Sequence, residues 1–167
     1  MRYAGIIKND LAAAPGVCTT LFVQGCPIHC PGCHNPESWD FNGGELFEEE
    51  AYKKLKEAIQ ANGFTRTFCI MGGEPLAKNN YEAIDALISR IKQDIPDLKI
   101  WIWSGYNFKD LELIKDISLK RIFYNINAIV TGPFIQDKRD ITLRFRGSSN
   151  QEIWIKNSEG VYTRQES

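Results

Sequence analysis

Short apolar runs alternate along the chain with segments of helical periodicity, and this alternation is the main structural signal in the sequence. Apolar runs rich in Val, Ile, Phe, Thr and Trp that end at turn residues are typical of strands. Such runs predict a leading strand at residues 3–8, four core strands at residues 18–24, 65–71, 99–103 and 126–130, and a final hairpin formed by residues 151–155 and 161–163.

Apolar residues at helical spacing predict two long helices, at residues 47–61 and 80–94. Glutamates 48–50 fall in the first turn of the first helix, where the helix dipole favours negative charge. Asn62-Gly63 is expected to end that helix, and Pro96 the second. Asn107 is expected to cap a short third helix.

Alternating strands and helices are typical of βαβ units, so the pattern predicts an α/β fold with a mostly parallel sheet. The chemistry of such folds lies at the carboxyl ends of the strands. Four distinctive segments follow the four core strands and should meet on one rim: a cysteine-rich loop, GGEP, SGY and TGPF. Trp101 and Trp103 alternate with isoleucines, and we expect the tryptophans to face the helices as core residues.

Composition limits the classes of function. A chain of 167 residues with 43% hydrophobic and 25% charged residues is expected to form one globular domain. The net charge of −1 favours neither nucleic acid nor membrane as a partner, and no signal peptide or membrane span is expected. The cysteines number five, an odd count that argues against a disulfide framework and for a cytoplasmic protein.

The cysteine-rich loop, residues 25–35, reads GCPIHCPGCHN and places Cys26, Cys30 and Cys33 in a C-x3-C-x2-C pattern. Electron-carrying [4Fe–4S] clusters take four Cys ligands, so three would leave one iron open to another ligand. Two alternatives stand at this point: unligated structural cysteines, or a Cys3His zinc site completed by His29 or His34.

Gly72-Gly73-Glu74-Pro75 follows the second core strand directly. Two glycines can bring main-chain N–H and C=O groups close to a ligand. Gly43-Gly44-Glu45 is a second GGE, but no strand precedes it and no proline follows. We therefore expect that copy to be a plain loop.

Together, the strand, the C-x3-C-x2-C loop, the helix, the next strand and GGEP resemble the radical S-adenosylmethionine (SAM) enzymes. The resemblance implies a [4Fe–4S] cluster whose open iron is chelated by SAM, while the GGEP backbone holds the methionyl amino end. It implies reductive cleavage of SAM to methionine and a 5′-deoxyadenosyl radical that takes a hydrogen atom from the substrate. The metal ligands expected are Cys26, Cys30 and Cys33, and the other cofactor-binding residues expected are Gly32, Cys33, His34, Gly72, Gly73, Glu74, Ser104 and Tyr106, with no catalytic residue beyond them.

A narrower resemblance rests on LFVQGCPIHCPGCHN, GGEPL, IWIWSGY, TGPF and RFRGSSNQ, which occur in this order. Residues 16–151 are similar to the family of anaerobic ribonucleoside-triphosphate reductase-activating proteins. The resemblance implies an activase that installs a glycyl radical on the large reductase, with a flavodoxin-type protein as the low-potential electron donor. It also implies a partial, open βα barrel: a single domain over 1–167, with its core at 16–132 and an extension at 133–167.

Several residues depart from that family's pattern. His34 stands where tyrosine is common, Cys18 where arginine is expected, and Asn127 and Thr131 where aspartates are usual. Another small radical SAM enzyme therefore stays an alternative, of the pyruvate formate-lyase activator or 7-carboxy-7-deazaguanine synthase type, as does a non-enzymatic metal or iron–sulfur binding module. Cys18 and Cys69 are expected in the core, since free cysteine packs as a small apolar residue. Two interpretations are open for Arg144 and Arg146: they contact a partner or a carboxylate, or they lie in a solvated basic segment.

Overall fold

The computed structural model describes residues 1–166 and contains eight strands and four α-helices over that range. The strands are β1 (Arg2–Asp10), β2 (Cys18–Val23), β3 (Glu45–Leu46), β4 (Thr67–Gly72), β5 (Ile100–Ser104), β6 (Ala128–Thr131), β7 (Glu152–Lys156) and β8 (Tyr162–Arg164). The helices are α1 (Glu49–Gln60), α2 (Tyr81–Asp94), α3 (Phe108–Leu113) and α4 (Ile117–Asn125), with 3₁₀ turns at Pro36–Ser38, Ala61–Gly63 and Gln136–Lys138. Every strand and helix predicted from the sequence is present.

The strands form one mixed sheet in the order β3-β1-β2-β4-β5-β6-β7-β8. Parallel pairing is confirmed for the central strands β2, β4, β5 and β6, which are joined by helical crossovers. The outer pairings, β1 with β2 and β3, and β7 with β6 and β8, are antiparallel. The carboxyl ends of the four parallel strands consequently lie side by side.

The main core lies between the helices and one face of the sheet. Leu55 and Ile59 of α1 and Ile84 and Ile88 of α2 pack there against residues that include Ile102 of β5. The expectation for the tryptophans was wrong. The isoleucines of β5 face the helices, whereas Trp101 and Trp103 lie on the opposite face of the sheet.

That opposite face carries a smaller apolar cluster. Cys18 and Cys69 are fully buried in it, beside Trp101, as expected for core cysteines. Trp103 packs at its margin together with Phe145. The tryptophans therefore lie on the face of the sheet opposite the helices, in the smaller apolar cluster.

Helix α4 was not predicted from the sequence. Asp116 caps it, since its carboxylate accepts hydrogen bonds from the backbone N–H groups of Ser118 and Leu119. Arg121 of α4 forms an ion pair with the buried Asp85 of α2, which joins the two helices.

Two local expectations were wrong. Glu45 of the second GGE copy does not lie in a plain loop, because it begins the two-residue strand β3, which pairs with β1. Asn107 occupies the N-cap position of α3 but makes no capping hydrogen bond, and its side chain donates to Asp110 instead. Among residues 1–166, no helix is long and apolar enough to cross a membrane.

Candidate active site

A cavity of about 810 Å³ opens where the parallel strands end. Its wall includes the cysteine-rich loop after β2, the Gly72–Glu74 turn after β4, Ser104 and Gly105 after β5, and Gly132 after β6. Residues from the segment 134–151 close the far side. The convergence expected from the strand order is therefore present in the structure.

The three clustered cysteines all line this cavity as free thiols. Cys26 is 9% exposed, whereas Cys30 and Cys33 are half-buried. Burial raises the pKa of Cys26, and hydrogen bonds from the backbone of His29 and Ile28 act in the opposite direction. The Sγ atom of Cys33 accepts a hydrogen bond of 3.5 Å from the backbone N–H of Asn35.

Within residues 1–166, no three His, Cys, Asp or Glu side chains converge closely enough to hold one metal ion. The ligands of a [4Fe–4S] cube bind separate irons, so their sulfur atoms need not meet at one point. Three thiols spaced along one cavity wall fit that requirement.

Main-chain hydrogen bonds close the cysteine-rich loop at its base. The backbone N–H of Gly25 donates to Ser38 O at 2.8 Å, and that of Cys26 donates to Trp39 O at 3.1 Å. The chain therefore returns to its starting point after the 3₁₀ turn Pro36–Ser38. This closure fixes the first cysteine relative to the sheet.

The GGEP turn is bonded directly to the cysteine-rich loop. Gly73 N–H donates to Val23 O, and Glu74 N–H donates to Gly25 O, both at 2.8 Å. Gly72 has a φ of +108°, and a Cβ atom at Gly73 would collide with the carbonyl oxygen of Gly25. Both glycines are thus required by the close approach of two main chains, and these two N–H groups already have protein acceptors.

The Glu74 side chain connects the ends of β4 and β5. It is 1% exposed, its Oε1 accepts from Leu76 N–H at 2.9 Å, and its Oε2 accepts from Gly105 N–H at 2.6 Å. Burial raises the pKa of Glu74 to about 7, although these hydrogen bonds and one from Ser104 oppose the shift. The carboxylate therefore positions the cavity wall.

Asn80 is a site residue that the sequence did not reveal. It is 2% exposed, and its Nδ2 donates to Gln24 O at 3.1 Å and to Glu74 O at 3.0 Å. The amide thus joins the cysteine-rich loop to the GGEP turn. In the sequence, the position of Asn80 after GGEP indicates only the start of a helix.

The segment after β6 covers the other side of the cavity. Gln136 lies against Gly32, where a Cβ atom would meet the side-chain amide oxygen Oε1 of Gln136. Gln151 braces this segment, since its side chain donates to Gly132 O at 3.0 Å and accepts from Gly147 N–H at 2.8 Å. Arg146 lines the cavity and donates to Gln151 O at 2.7 Å.

Most of the residues predicted to bind cofactors lie on the cavity wall: Gly32, Cys33, His34, Gly72, Gly73, Glu74 and Ser104. Tyr106 does not line the cavity and packs instead against the main core. Arg144 is exposed and stacks over Phe145, and none of the carboxylates within residues 1–166 pairs with it.

Comparison with known families assigns the class of protein to this arrangement. The family model described as "4Fe-4S single cluster domain" matches residues 12–154. The matched range includes the three cysteines, GGEP and the segment that covers the cavity. The site is thus that of an iron–sulfur protein, and the match argues against a single-zinc site.

Curated relatives narrow the class. The anaerobic ribonucleoside-triphosphate reductase-activating protein of Salmonella typhi is 36% identical over 154 residues, which is 92% of this chain and 97% of the relative. The proteins of the same name from Escherichia coli (strain K12) and Enterobacteria phage T4 are 35% identical over 158 residues and 33% identical over 162 residues. The match to E. coli covers 92% of this chain and 97% of the relative, and the match to phage T4 covers 97% and 98%. The chain belongs to this family of activating proteins.

Proposed function

We propose that this protein is a radical SAM activase that installs a glycyl radical on the anaerobic ribonucleoside-triphosphate reductase. The observation that supports it most is the bond from Glu74 N–H to Gly25 O, 2.8 Å long, which joins GGEP to the cysteine-rich loop. This bond keeps the GGEP turn beside the loop that carries the three thiols, which supports a single site for SAM and the cluster. The names of the relatives supply the partner.

Cys26, Cys30 and Cys33 are the proposed ligands of the [4Fe–4S] cluster. Thiolates are the ligands that such clusters take, and all three sulfur-bearing side chains line the same cavity. The backbone N–H of Asn35 supplies a hydrogen bond to one of these sulfurs. When bound, the reduced cluster would pass one electron to SAM, and the cleavage to methionine would supply a 5′-deoxyadenosyl radical able to abstract a hydrogen atom.

SAM is proposed to lie along Gly72, Gly73 and Glu74, with Gly32, His34 and Ser104 on the surrounding wall. The ammonium group of SAM needs hydrogen-bond acceptors. Because the N–H groups of Gly73 and Glu74 are already paired, main-chain carbonyl oxygens of this turn are the suitable partners. Tyr106, the remaining residue predicted to bind a cofactor, packs against the main core and would support the cavity wall from that side.

We propose that the fold is the open βα barrel of radical SAM enzymes. The chain would form a single domain over residues 1–167, with its core at 16–132 and an extension at 133–167. Its parallel strands end at the cavity, and β3 and β8 lie at opposite edges of the sheet. An open cavity of about 810 Å³ could admit a glycine-bearing loop of the reductase. A flavodoxin-type protein of a reducing cytoplasm is the proposed electron donor.

The test is an anaerobic reaction of the reconstituted protein with dithionite, SAM and the reductase. A glycyl doublet by EPR together with 5′-deoxyadenosine is the expected result. 5′-Deoxyadenosine without a protein radical would refute the partner and indicate another small radical SAM enzyme. Neither product, from protein with a full cluster, would refute the enzyme and leave a cluster-binding module.

A further inference from the structure

A loop formed by residues 139–148 borders the cavity on the side away from the cysteine-rich loop. Its two ends pair through a bridge between Arg139 and Ser148. Nearer its tip, the carboxylate of Asp140 accepts hydrogen bonds from the backbone N–H of Thr142, at 2.9 Å, and from the hydroxyl of the same residue, at 2.6 Å. The loop therefore has fixed contacts both at its base and close to its tip.

Phe145 attaches this loop to the sheet. Its φ is +64°, which is an uncommon conformation for a bulky residue. Its ring packs edge-on against Trp101, with centroids 5.6 Å apart, and its carbonyl oxygen accepts a hydrogen bond of 2.9 Å from the indole N–H of Trp103. These contacts hold the backbone in a strained conformation, and strain of this kind is concentrated at functional segments.

Ile141, at the tip of the loop, is exposed although it is a large apolar residue. It lines the cavity and is 84% exposed. Leu143, which is half-buried, continues the apolar surface into the cavity. Leu11 is 77% exposed and lies between Asp10 and Ala12, which line the same cavity. The apolar surface of the cavity thus extends outward to its opening.

Arginines of the same loop lie beside this apolar surface. Arg139 and Arg144 are both exposed, and Arg139 also lines the cavity. Protein–protein interfaces combine an apolar centre with a polar border, and arginine is enriched in them. An apolar surface that continues from a cavity to the exterior, on a loop with fixed contacts, marks an interaction site.

The proposed reaction determines which molecule passes this opening. Abstraction of a hydrogen atom from a glycine requires its Cα to lie within about 3.5 Å of the reacting carbon, inside the cavity. The residues next to that glycine in the partner chain must then cross the opening. They meet the side chains that border it.

We propose that the 139–148 loop is a docking surface for the segment of the reductase that carries the target glycine, and that Ile141 contacts an apolar side chain next to that glycine. The proposal rests on the proposed function and names the part of the cavity that meets the protein substrate. Ile141 is thus a residue for recognition of the partner and takes no part in the chemistry of SAM.

The experiment measures binding of the reductase to full-length reconstituted protein, with the cluster left oxidised so that no reaction occurs. Wild type is compared with Ile141→Ala and with Ile117→Ala. Ile117 is a matched control, because it is 64% exposed on α4 and does not line the cavity. The dissociation constant should rise about tenfold in Ile141→Ala, the order expected when an isoleucine loses its apolar contacts, and stay unchanged in Ile117→Ala. Equal dissociation constants for wild type and Ile141→Ala, or equal weakening by both variants, would overturn the proposal.

Two further measurements test the nature of the contact and its occupant. Ile141→Leu should keep the wild-type dissociation constant, since leucine offers a similar apolar surface. Weakening as large as that of Ile141→Ala would overturn the apolar contact. Sedimentation of the protein alone tests a second copy of this chain as the occupant: self-association that Ile141→Ala abolishes would overturn docking of the reductase.

The proposed function can fail independently of this docking surface. Binding that depends on Ile141, with no radical formed on the reductase by the wild type, would refute the activase and keep the docking surface. Radical formation by the wild type, with the same dissociation constant in Ile141→Ala, would keep the activase and refute the docking surface.

Discussion

Glu74 and Gly105 are joined by a hydrogen bond of 2.6 Å, in which the backbone N–H of Gly105 donates to the buried carboxylate. This bond connects the turn after β4 to the turn after β5. A Cβ atom at Gly105 would lie 2.6 Å from Cδ1 of Ile28, so the cysteine-rich loop also packs on this point. The buried carboxylate therefore joins the turns after β4 and β5, and Ile28 of the cysteine-rich loop packs beside that junction.

Replacing Glu74 should change how stability depends on pH. Burial raises the pKa of Glu74 to about 7, above the value of about 4.3 for an exposed glutamate. The folded protein therefore keeps a proton that the unfolded chain has released between those values, so the free energy of unfolding falls as pH rises through this window and levels off above about pH 7. The fall attributable to Glu74 is on the order of 3 kcal/mol.

Denaturant unfolding of the metal-free protein from about pH 5 to pH 8 measures this effect. The difference between wild type and Glu74→Gln isolates the titration of this one group. Glutamine also loses one of the two acceptors, which adds a constant cost of about 1–3 kcal/mol. A difference that does not vary with pH would contradict the raised pKa.

Alanine at Cys26, Cys30 or Cys33 should remove the cluster and abolish SAM cleavage, because each thiolate is proposed to bind a separate iron. Iron and sulfide content after reconstitution, followed by a 5′-deoxyadenosine assay, measures both effects. Cys69→Ala is the control, because Cys69 is fully buried and does not line the cavity. It should keep the cluster and cost about 1–2 kcal/mol of stability. Retained SAM cleavage in Cys30→Ala would refute the ligand assignment.

Gly73→Ala should uncouple SAM binding from cluster binding. The added methyl group collides with the carbonyl oxygen of Gly25 and pushes the GGEP turn away from the cysteine-rich loop. We expect near-normal iron content with SAM cleavage slowed roughly a hundredfold, the order of effect that a 1 Å displacement of reacting groups produces. Gly5→Ala, where a Cβ atom meets nothing within 4 Å, should leave cleavage unchanged. Unimpaired cleavage by Gly73→Ala would show that the close approach is not needed.

Asn80→Ala should destabilise the protein by about 1–3 kcal/mol, because it removes the buried amide that donates to Gln24 O and to Glu74 O, of which Glu74 O keeps a second donor in the backbone N–H of Ala77. Asn79 is exposed and next to it in sequence, so Asn79→Ala should change stability by less than about 0.5 kcal/mol. Thermal and denaturant unfolding of the two variants measure the difference. Equal stability of both would show that the amide does not hold the two loops together.

The sequence predicts the strands, the main helices and the meeting of their ends, because periodicity and turn residues carry that information locally. Asp116, an N-cap residue ahead of an apolar pattern, is the feature of the sequence that indicates α4. Alternation in β5 separates tryptophans from isoleucines but cannot say which set faces the helices.

The contacts of Asn80 and Gln136 could not be predicted. Asn80 bonds to a main-chain atom 56 residues away, and Gln136 meets a glycine of the cysteine-rich loop. Such partners leave no spacing signal in the sequence. Tyr106 lies outside the cavity because of the way the chain turns after β5. The type of its side chain alone does not determine that turn.

The main-chain bonds that close the cysteine-rich loop have a consequence for how the holoprotein assembles. Gly25 and Cys26 are anchored to Ser38 and Trp39 by the polypeptide alone. The conformational entropy of the loop is therefore lost when the chain folds and not when iron arrives. In zinc fingers, by contrast, metal binding and folding are one event. We therefore expect the loop to be folded before iron arrives, so that cluster insertion follows the folding of the apoprotein.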